Sequence, residues 1–217
     1  MVIKMKIELE TILPEQIENR SFAIIESELP KDRKIDALQK PVIKRVIHTT
    51  ADFDYLDNLK FSEHAVEKTL AALKSGACIV TDTNMAKAGV HKASLEKLGG
   101  ALYCYMADED VAAEAKRQGC TRAAVCMEKA AKLDKPLIIA VGNAPTALVR
   151  ICELISEGKL KPALVIGAPV GFVNVVRSKE LIMQAGVDYI VAAGRKGGSN
   201  VAAAICNALI YMATGER

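Results

Sequence analysis

Two side chains suited to acid–base and anion chemistry stand three residues apart in the stretch KRVIHTTADFDY, residues 44–55. Arg45 can hold a carboxylate in a bidentate pair, and His48 can give or take a proton near neutral pH. The apolar residues around them recur at helical spacing: Val42, Ile43, Val46 and Ile47. At about 100° per residue these four form one face of a helix. We therefore expect Arg45 and His48 to project from the opposite face, away from the core.

A glycine-rich stretch, GRKGGSN at residues 194–200, is a candidate for anion binding. Glycines permit close backbone approach, and a helix capped by Ser199 would offer unpaired N–H groups to an anion. Arg195 adds a guanidinium group that can clamp a carboxylate or phosphate. The stretch is not a phosphate-binding P-loop, because the chain lacks G-x-x-x-x-G-K-[ST], and no strand end carries G-x-G-x-x-G. A tight strand–helix turn with solvated charges is the alternative.

The other two histidines have ordinary surroundings. His64 lies among Glu63, Glu67 and Lys68, which predicts a solvated face, and His91 follows a turn. The chain contains no G-x-S-x-G elbow and no H-E-x-x-H motif. If the protein is an enzyme, His48 is the candidate for proton transfer. Its place near a helix C-terminus favours the imidazolium form.

The elements that must position these residues alternate regularly from residue 62 onward. Short apolar runs predict buried strands: ACIVTD, ALYCYMAD, PLIIAVGNAPT, PALVIGAPVG and DYIVAAGRKGGSN. Helical patterns separate them, at about 109–118, 121–133, 145–157, 178–185 and 199–213. This alternation predicts a single doubly wound α/β domain with a mostly parallel sheet of about five strands. Polar residues such as Asp82 and Asn143 end the strands, so we expect a ligand site along that edge.

The N-terminal part is different. Residues 1–10 alternate apolar and polar, which predicts a strand-like extension, residues 1–13, that adds to a sheet edge or pairs with another subunit. A helix is predicted from Pro14 to about Leu29. Ser21 falls within its apolar face, where the hydroxyl can bond back to its own helix or contact a ligand. The predicted organisation is the extension followed by one domain, residues 14–217.

Composition excludes several classes of function. The net charge is +3 and only 4% of residues are aromatic, which argues against nucleic-acid binding. No apolar run approaches 18 residues, so we expect no membrane span. Six cysteines without a C-x-x-C pair predict reduced thiols rather than a disulfide framework or a zinc site. We expect a cytoplasmic protein.

Seven stretches, in order, resemble the precorrin-8X methylmutase family, also known as cobalt-precorrin-8 methylmutase, of cobalamin biosynthesis. They are IENRSFAIIESE, RVIHTTADFDY, FSEHAVEKTLAALKSGACIVTDTNMAKAGV, GCTRAAV, IAVGNAPTALVRICELI, GAPVGFVNVVRSKE and GRKGGSNVAAAICNALI. The resemblance covers nearly the whole chain from about residue 14. One departure is Arg177, where family members usually have Glu.

The resemblance implies an isomerase that moves a methyl group between adjacent ring carbons of a contracted tetrapyrrole, giving hydrogenobyrinate or cobyrinate. It implies that His48 is the catalytic proton donor and acceptor, and that Ser21 and Arg45 contact the substrate. The matching stretches and the strand ends together give the other predicted substrate-binding residues: Thr49, Asp82, Arg122, Asn143, Thr146, Arg195, Gly197, Gly198 and Ser199.

The resemblance also implies a homodimer without a metal or nucleotide cofactor, since any cobalt belongs to the substrate. The substrate would be an anionic tetrapyrrole, whose many carboxylates account for arginines and glycine turns without a P-loop. The sequence does not decide whether that substrate contains cobalt. The alternative is a non-catalytic protein of the same fold that binds a corrinoid or another anionic metabolite.

Overall fold

A computed structural model of the chain describes residue 10 and residues 12–216. It divides into two compact units, residues 1–34 and residues 35–217. Except for residue 10, the strand expected over residues 1–10 lies outside the described residues, so its pairing stays a prediction. The expected domain boundary at residue 14 stays a prediction as well.

Within its described residues, the first unit contains one helix, α1 (Pro14–Glu28). Pro14 occupies the first turn, where the missing N–H costs no hydrogen bond. Leu29 ends the helix in an extended conformation, so the predicted helix is confirmed. The Ser21 hydroxyl donates to the carbonyl of Ile17 at 2.9 Å, which is the local bond expected of a serine inside a helix.

The second unit contains the sheet and the remaining helices. The strands are β1 (Leu59–Phe61), β2 (Cys78–Thr81), β3 (Leu102–Tyr103), β4 (Leu137–Val141), β5 (Leu164–Gly167) and β6 (Tyr189–Ala192). The helices are α2 (Gln39–Thr50), α3 (Tyr55–Asn58), α4 (Ala65–Lys74), α5 (Asn84–Gly89), α6 (Lys92–Lys97), α7 (Glu109–Gln118), α8 (Arg122–Ala130), α9 (Pro145–Ser156), α10 (Val175–Gln184) and α11 (Ser199–Thr214).

Within the described residues the strands form one sheet in the order β1-β6-β5-β4-β2-β3. The five strands from β2 to β6 pair in parallel, which confirms the predicted parallel sheet. The sequence missed β1, an antiparallel edge strand whose Leu59 pairs with Ala192 of β6. A strand of three residues is too short to show an alternating pattern in the sequence. Strand β1 is recognised only by its pairing with β6.

Helices cover both faces of the sheet, as doubly wound folds require. On one side α11 packs against α2, α4, α5 and α6, and on the other α7, α8, α9 and α10 pack in succession. Every residue of β2, β4 and β5 is buried, which explains their continuous apolar runs. Helix α10 begins at Val175 rather than 178, after Asn174 adopts a left-handed conformation with φ +59°.

Candidate active site

Helix α2 has one buried apolar face and one polar face, as the spacing of its apolar residues predicts. Its apolar residues are essentially inaccessible: Val42 0%, Ile43 4%, Val46 0% and Ile47 1% exposed. His48 and Thr49 are exposed on the other side. Ala51 ends the helix in a left-handed conformation, and its N–H donates to the Ile47 carbonyl at 2.7 Å. His48 therefore lies in the last turn of α2.

Two ion pairs tie the end of α2 to the glycine-rich turn, residues 194–199. The Lys196 ammonium lies 2.6 Å from a carboxylate oxygen of Asp52 and 2.6 Å from one of Asp54. The bond to Lys196 is the main cause that lowers the pKa of Asp52. Because Lys196 belongs to the turn and both carboxylates follow α2, the His48 helix and the turn are held beside each other.

Arg45 packs near the far end of α11. Its guanidinium carbon lies 5.2 Å from the centre of the Tyr211 ring, and the His91 ring lies 5.7 Å from that same ring. Tyr211 is 12 residues beyond Ser199, so the two are about 18 Å apart along the helix. A ligand that contacts both Arg45 and the glycine-rich turn must therefore be large. Sequence reasoning missed Tyr211, because its spacing matches the buried face of a helix.

Asp82 lies where the chain order of the sheet reverses, between β2 and β4. It is 1% exposed, and its carboxylate accepts hydrogen bonds from the backbone N–H groups of Gly142 at 2.7 Å, Asn143 at 2.9 Å and Ala144 at 2.7 Å. Burial raises the pKa of Asp82, and these three donors oppose the shift. Open α/β sheets bind ligands at such a switch point. Here the Asp82 carboxylate already occupies the N–H groups of Gly142, Asn143 and Ala144.

This geometry gives Asp82 a structural role that its sequence position did not indicate, and its role as a substrate contact stays a prediction. Its carboxylate holds the loop after β4, and the N–H groups of that loop are already bonded. The side chain of Asn143 remains exposed, so it stays a predicted substrate contact. No local pattern around Asp82 indicates these bonds, since the partners are about 60 residues apart in the chain.

The glycine-rich turn is packed tightly against two other strand ends. A Cβ atom on Gly197 would lie 2.3 Å from the Ala168 carbonyl oxygen, and one on Gly142 would lie 2.6 Å from Cα of Ser199. Gly198 N–H donates to the Ala168 carbonyl at 2.8 Å. The turn therefore requires glycine for close approach, as the sequence predicts.

Ser199 does not cap α11, contrary to the sequence interpretation. The capping position is Gly198, which has no side chain to bond the first turn. Ser199 is the first helical residue, and its hydroxyl lies 2.8 Å from that of Thr83, which follows β2 and caps α5. Ser199 thus joins the turn to another strand end.

Exposed apolar side chains lie beside the charged groups of this edge. Phe172 is 80%, Val173 79% and Met85 73% exposed. The Arg195 guanidinium carbon lies 5.3 Å from the centre of the Phe172 ring, within range of a cation–π interaction. This edge can therefore meet a ligand that has both an apolar face and negative groups.

The remaining predicted contacts lie at the starts of α8 and α9. Arg122 and Thr146 are exposed, and the Thr146 hydroxyl lies 2.8 Å from that of Thr121. Thr121 also caps α8 by accepting from Ala124 N–H at 3.2 Å. Arg177, the departure from the family pattern, is exposed and pairs with Glu180 at 3.4 Å.

The described residues contain neither a metal-binding cluster nor a helix suited to span a membrane. No three histidine, cysteine, aspartate or glutamate side chains gather there in a group that could hold a metal ion. No helix in this part of the chain has the length and apolar character needed to cross a bilayer.

Comparison with known proteins identifies the family. Residues 16–212 match the model of the precorrin-8X methylmutase family. A cobalt-precorrin-8 methylmutase of Priestia megaterium is 44% identical over 94% of this chain and 90% of its own length. A precorrin-8X methylmutase of Pseudomonas aeruginosa is 39% identical over 89% of this chain and 93% of its own length.

The fold comparison agrees with the sequence comparison. The crystal structure of a precorrin-8X methylmutase from Thermus thermophilus superimposes with a TM-score of 0.84 and 39% identity, covering 92% of this chain and 98% of the other. Family model, relatives and fold all span nearly the whole chain. The chain therefore belongs to the precorrin-8X methylmutase family, whose members are isomerases.

Proposed function

We propose that the protein moves a methyl group between adjacent ring carbons of precorrin-8X or cobalt-precorrin-8, giving hydrogenobyrinate or cobyrinate. The observation that carries this proposal is the double ion pair of Lys196, which sets the His48 helix beside the glycine-rich turn. In a member of this family, that arrangement supports His48 as a proton donor close to turn residues that would bind carboxylates.

His48 is the proposed proton donor and acceptor at the ring. It is exposed at the end of α2, so a substrate can reach it without rearrangement of the core. A donor that loses its proton to the ring can recover the proton when the migration is complete, as general acid–base catalysis requires.

The arginines support a large polycarboxylate substrate rather than a small anion. Arg45 packs at one end of α11, and Arg195 lies just before the other end. A tetrapyrrole that carries carboxylates around its rim can contact both, while its ring meets the exposed side chain of Phe172. Further substrate contacts are proposed from the matching stretches: Ser21, Thr49, Arg122, Asn143 and Thr146. We propose no cofactor, because any cobalt belongs to the substrate.

The experiment is parallel turnover of precorrin-8X and cobalt-precorrin-8 by the purified protein, followed in the visible spectrum. We expect conversion to a new chromophore with at least one of the two, and conversion slowed by about 10²–10⁴-fold with a His48→Ala variant. The alternative, a corrinoid-binding protein without catalysis, predicts that the ligand bands shift on mixing and then stay constant. That outcome would refute the isomerase proposal.

We further propose that the protein works as a homodimer in the cytoplasm. The apolar positions of residues 1–10 would support this dimer without creating it, since a strand standing alone is marginal in water. Light scattering at micromolar concentration should give the mass of a dimer for the full chain and for a variant without residues 1–10. A monomeric full-length protein would contradict the proposal.

A further inference from the structure

Lys179 is a buried cation that lies outside the predicted site residues. It projects from α10, is 1% exposed, and its ammonium group donates to the carbonyl oxygens of Gly194 and Lys196, each at 2.8 Å. Among the residues that the structure describes, no carboxylate pairs with it. Burial lowers the pKa of Lys179 to about 8, as expected for a desolvated cation whose hydrogen-bond partners are neutral.

The two bonds fix the direction of two peptide groups in the glycine-rich turn. In a trans peptide the C=O and N–H groups point in opposite directions, and no peptide bond in the described residues is cis. The carbonyls of Gly194 and Lys196 face Lys179, so the N–H groups of Arg195 and Gly197 point away from it. Within the described part of the chain, neither N–H group has a hydrogen-bond acceptor.

The turn needs such an outside support. Gly194 adopts φ +74°, and glycine is conformationally permissive, so the turn sequence alone does not select one arrangement. Lys179 is held on a packed helix between Val175 and Ile182, which are 2% and 0% exposed. A positive charge bonded to a peptide carbonyl also polarises that peptide, which makes its N–H a stronger donor.

We propose that Lys179 is a positioning residue of the methyl-transfer site, whose ammonium group orients and polarises two peptides of the glycine-rich turn so that Arg195 N–H and Gly197 N–H bind a substrate carboxylate. This inference rests on the proposed function for the identity of the ligand. It assigns carboxylate recognition to the backbone as well as to the Arg195 side chain.

The test compares three variants. Lys179→Met keeps a similar volume and loses both bonds, Lys179→Gln keeps N–H donors without the charge, and Ser178→Ala is the matched control. Ser178 is also buried on α10, and its hydroxyl donates to the Val175 carbonyl at 2.9 Å, away from the turn. We expect Lys179→Met to raise KM for the tetrapyrrole substrate by about tenfold or more, the equivalent of one charge-assisted bond, with little change in kcat.

Comparing the binding of hydrogenobyrinate with that of its methyl ester separates the proposed role from a merely structural one. A structural role of Lys179 would not distinguish the acid from the ester. Lys179→Met should weaken binding of the acid and leave binding of the ester unchanged, Lys179→Gln should restore part of the loss, and Ser178→Ala should change neither affinity. Equal effects on acid and ester, or a KM within twofold of wild type, would overturn the inference. If binding of the acid depends on Lys179 but the wild-type protein converts neither precorrin-8X nor cobalt-precorrin-8, the proposed function is overturned instead.

A measurement on the unaltered protein covers the case in which the Lys179 variants do not fold. In amide-resolved NMR of the wild-type chain, hydrogenobyrinate should move the proton signals of Arg195 and Gly197 downfield, as new hydrogen bonds do. If both signals stay in place while the ligand is bound, the two N–H groups do not hold a carboxylate and the inference is wrong.

Discussion

Replacing Gly142 by alanine should move the glycine-rich turn, and we expect this to reduce catalysis more than it reduces the stability of the fold. A Cβ atom at this position would lie 2.6 Å from Cα of Ser199, 2.9 Å from its N and 3.0 Å from the Gly198 carbonyl oxygen. Ordinary contact begins at 3.4 Å, so Ser199 must retreat by about 0.8 Å. All three neighbours are backbone atoms, so no side-chain rotation can make this room, and the start of α11 must move away from the end of β4.

The cost in stability should be modest. Overpacking of this kind costs about 1–3 kcal/mol, and the lower chain entropy of unfolded alanine offsets about 0.4–1 kcal/mol of it. The net loss of about 0–2.6 kcal/mol corresponds to a fall in Tm of at most roughly 10 °C for a chain of this length. The effect on catalysis should be larger, because a displacement near 1 Å in a site can cost about 10²-fold in rate.

The assay is the visible-spectrum turnover of precorrin-8X, measured beside thermal unfolding, with Gly158→Ala as the matched control. Gly158 adopts φ +68° with no atom within 4 Å of a Cβ position, and it follows α9 at the opposite edge of the sheet. Alanine there should cost about 1–2 kcal/mol through its left-handed conformation without moving the turn. A fall in kcat/KM for Gly142→Ala no larger than that for Gly158→Ala would refute the reasoning.

The remaining predictions concern four side chains: His48, Arg45, Arg195 and Asp82. His48→Ala should lower turnover by about 10²–10⁴-fold and leave Tm nearly unchanged, since an exposed side chain leaves no core cavity; turnover within tenfold of wild type would end its catalytic assignment. Arg45→Ala and Arg195→Ala should each weaken hydrogenobyrinate binding by about 1.5–3 kcal/mol in titrations, and a lower Tm with unchanged affinity would make them structural. Asp82→Ala should reduce the free energy of unfolding in urea by about 2–4 kcal/mol, because three N–H groups lose their acceptor, whereas the exposed Asp134→Ala should have little effect.

The two faces of α2 could be predicted from the sequence because the information is local. A period of 3.6 residues places Val42 and Val46 on the core side and His48 on the other, whatever the rest of the chain does. The parallel strands could be predicted for a related reason, since strands buried on both faces must be apolar throughout. The need for glycine at position 197 could also be predicted, because glycine is the residue that permits two backbone segments to approach closely.

Contacts between distant segments were decided only by the tertiary structure. Asp82 ends a strand and looks like an exposed polar residue, yet the loop after β4 surrounds it and takes its carboxylate. Lys179 stands in a helical pattern where lysine is usually solvated, yet α10 packs so that its ammonium group meets the turn before α11. Neither outcome follows from spacing, because each depends on a partner brought close by the order of the strands in the sheet.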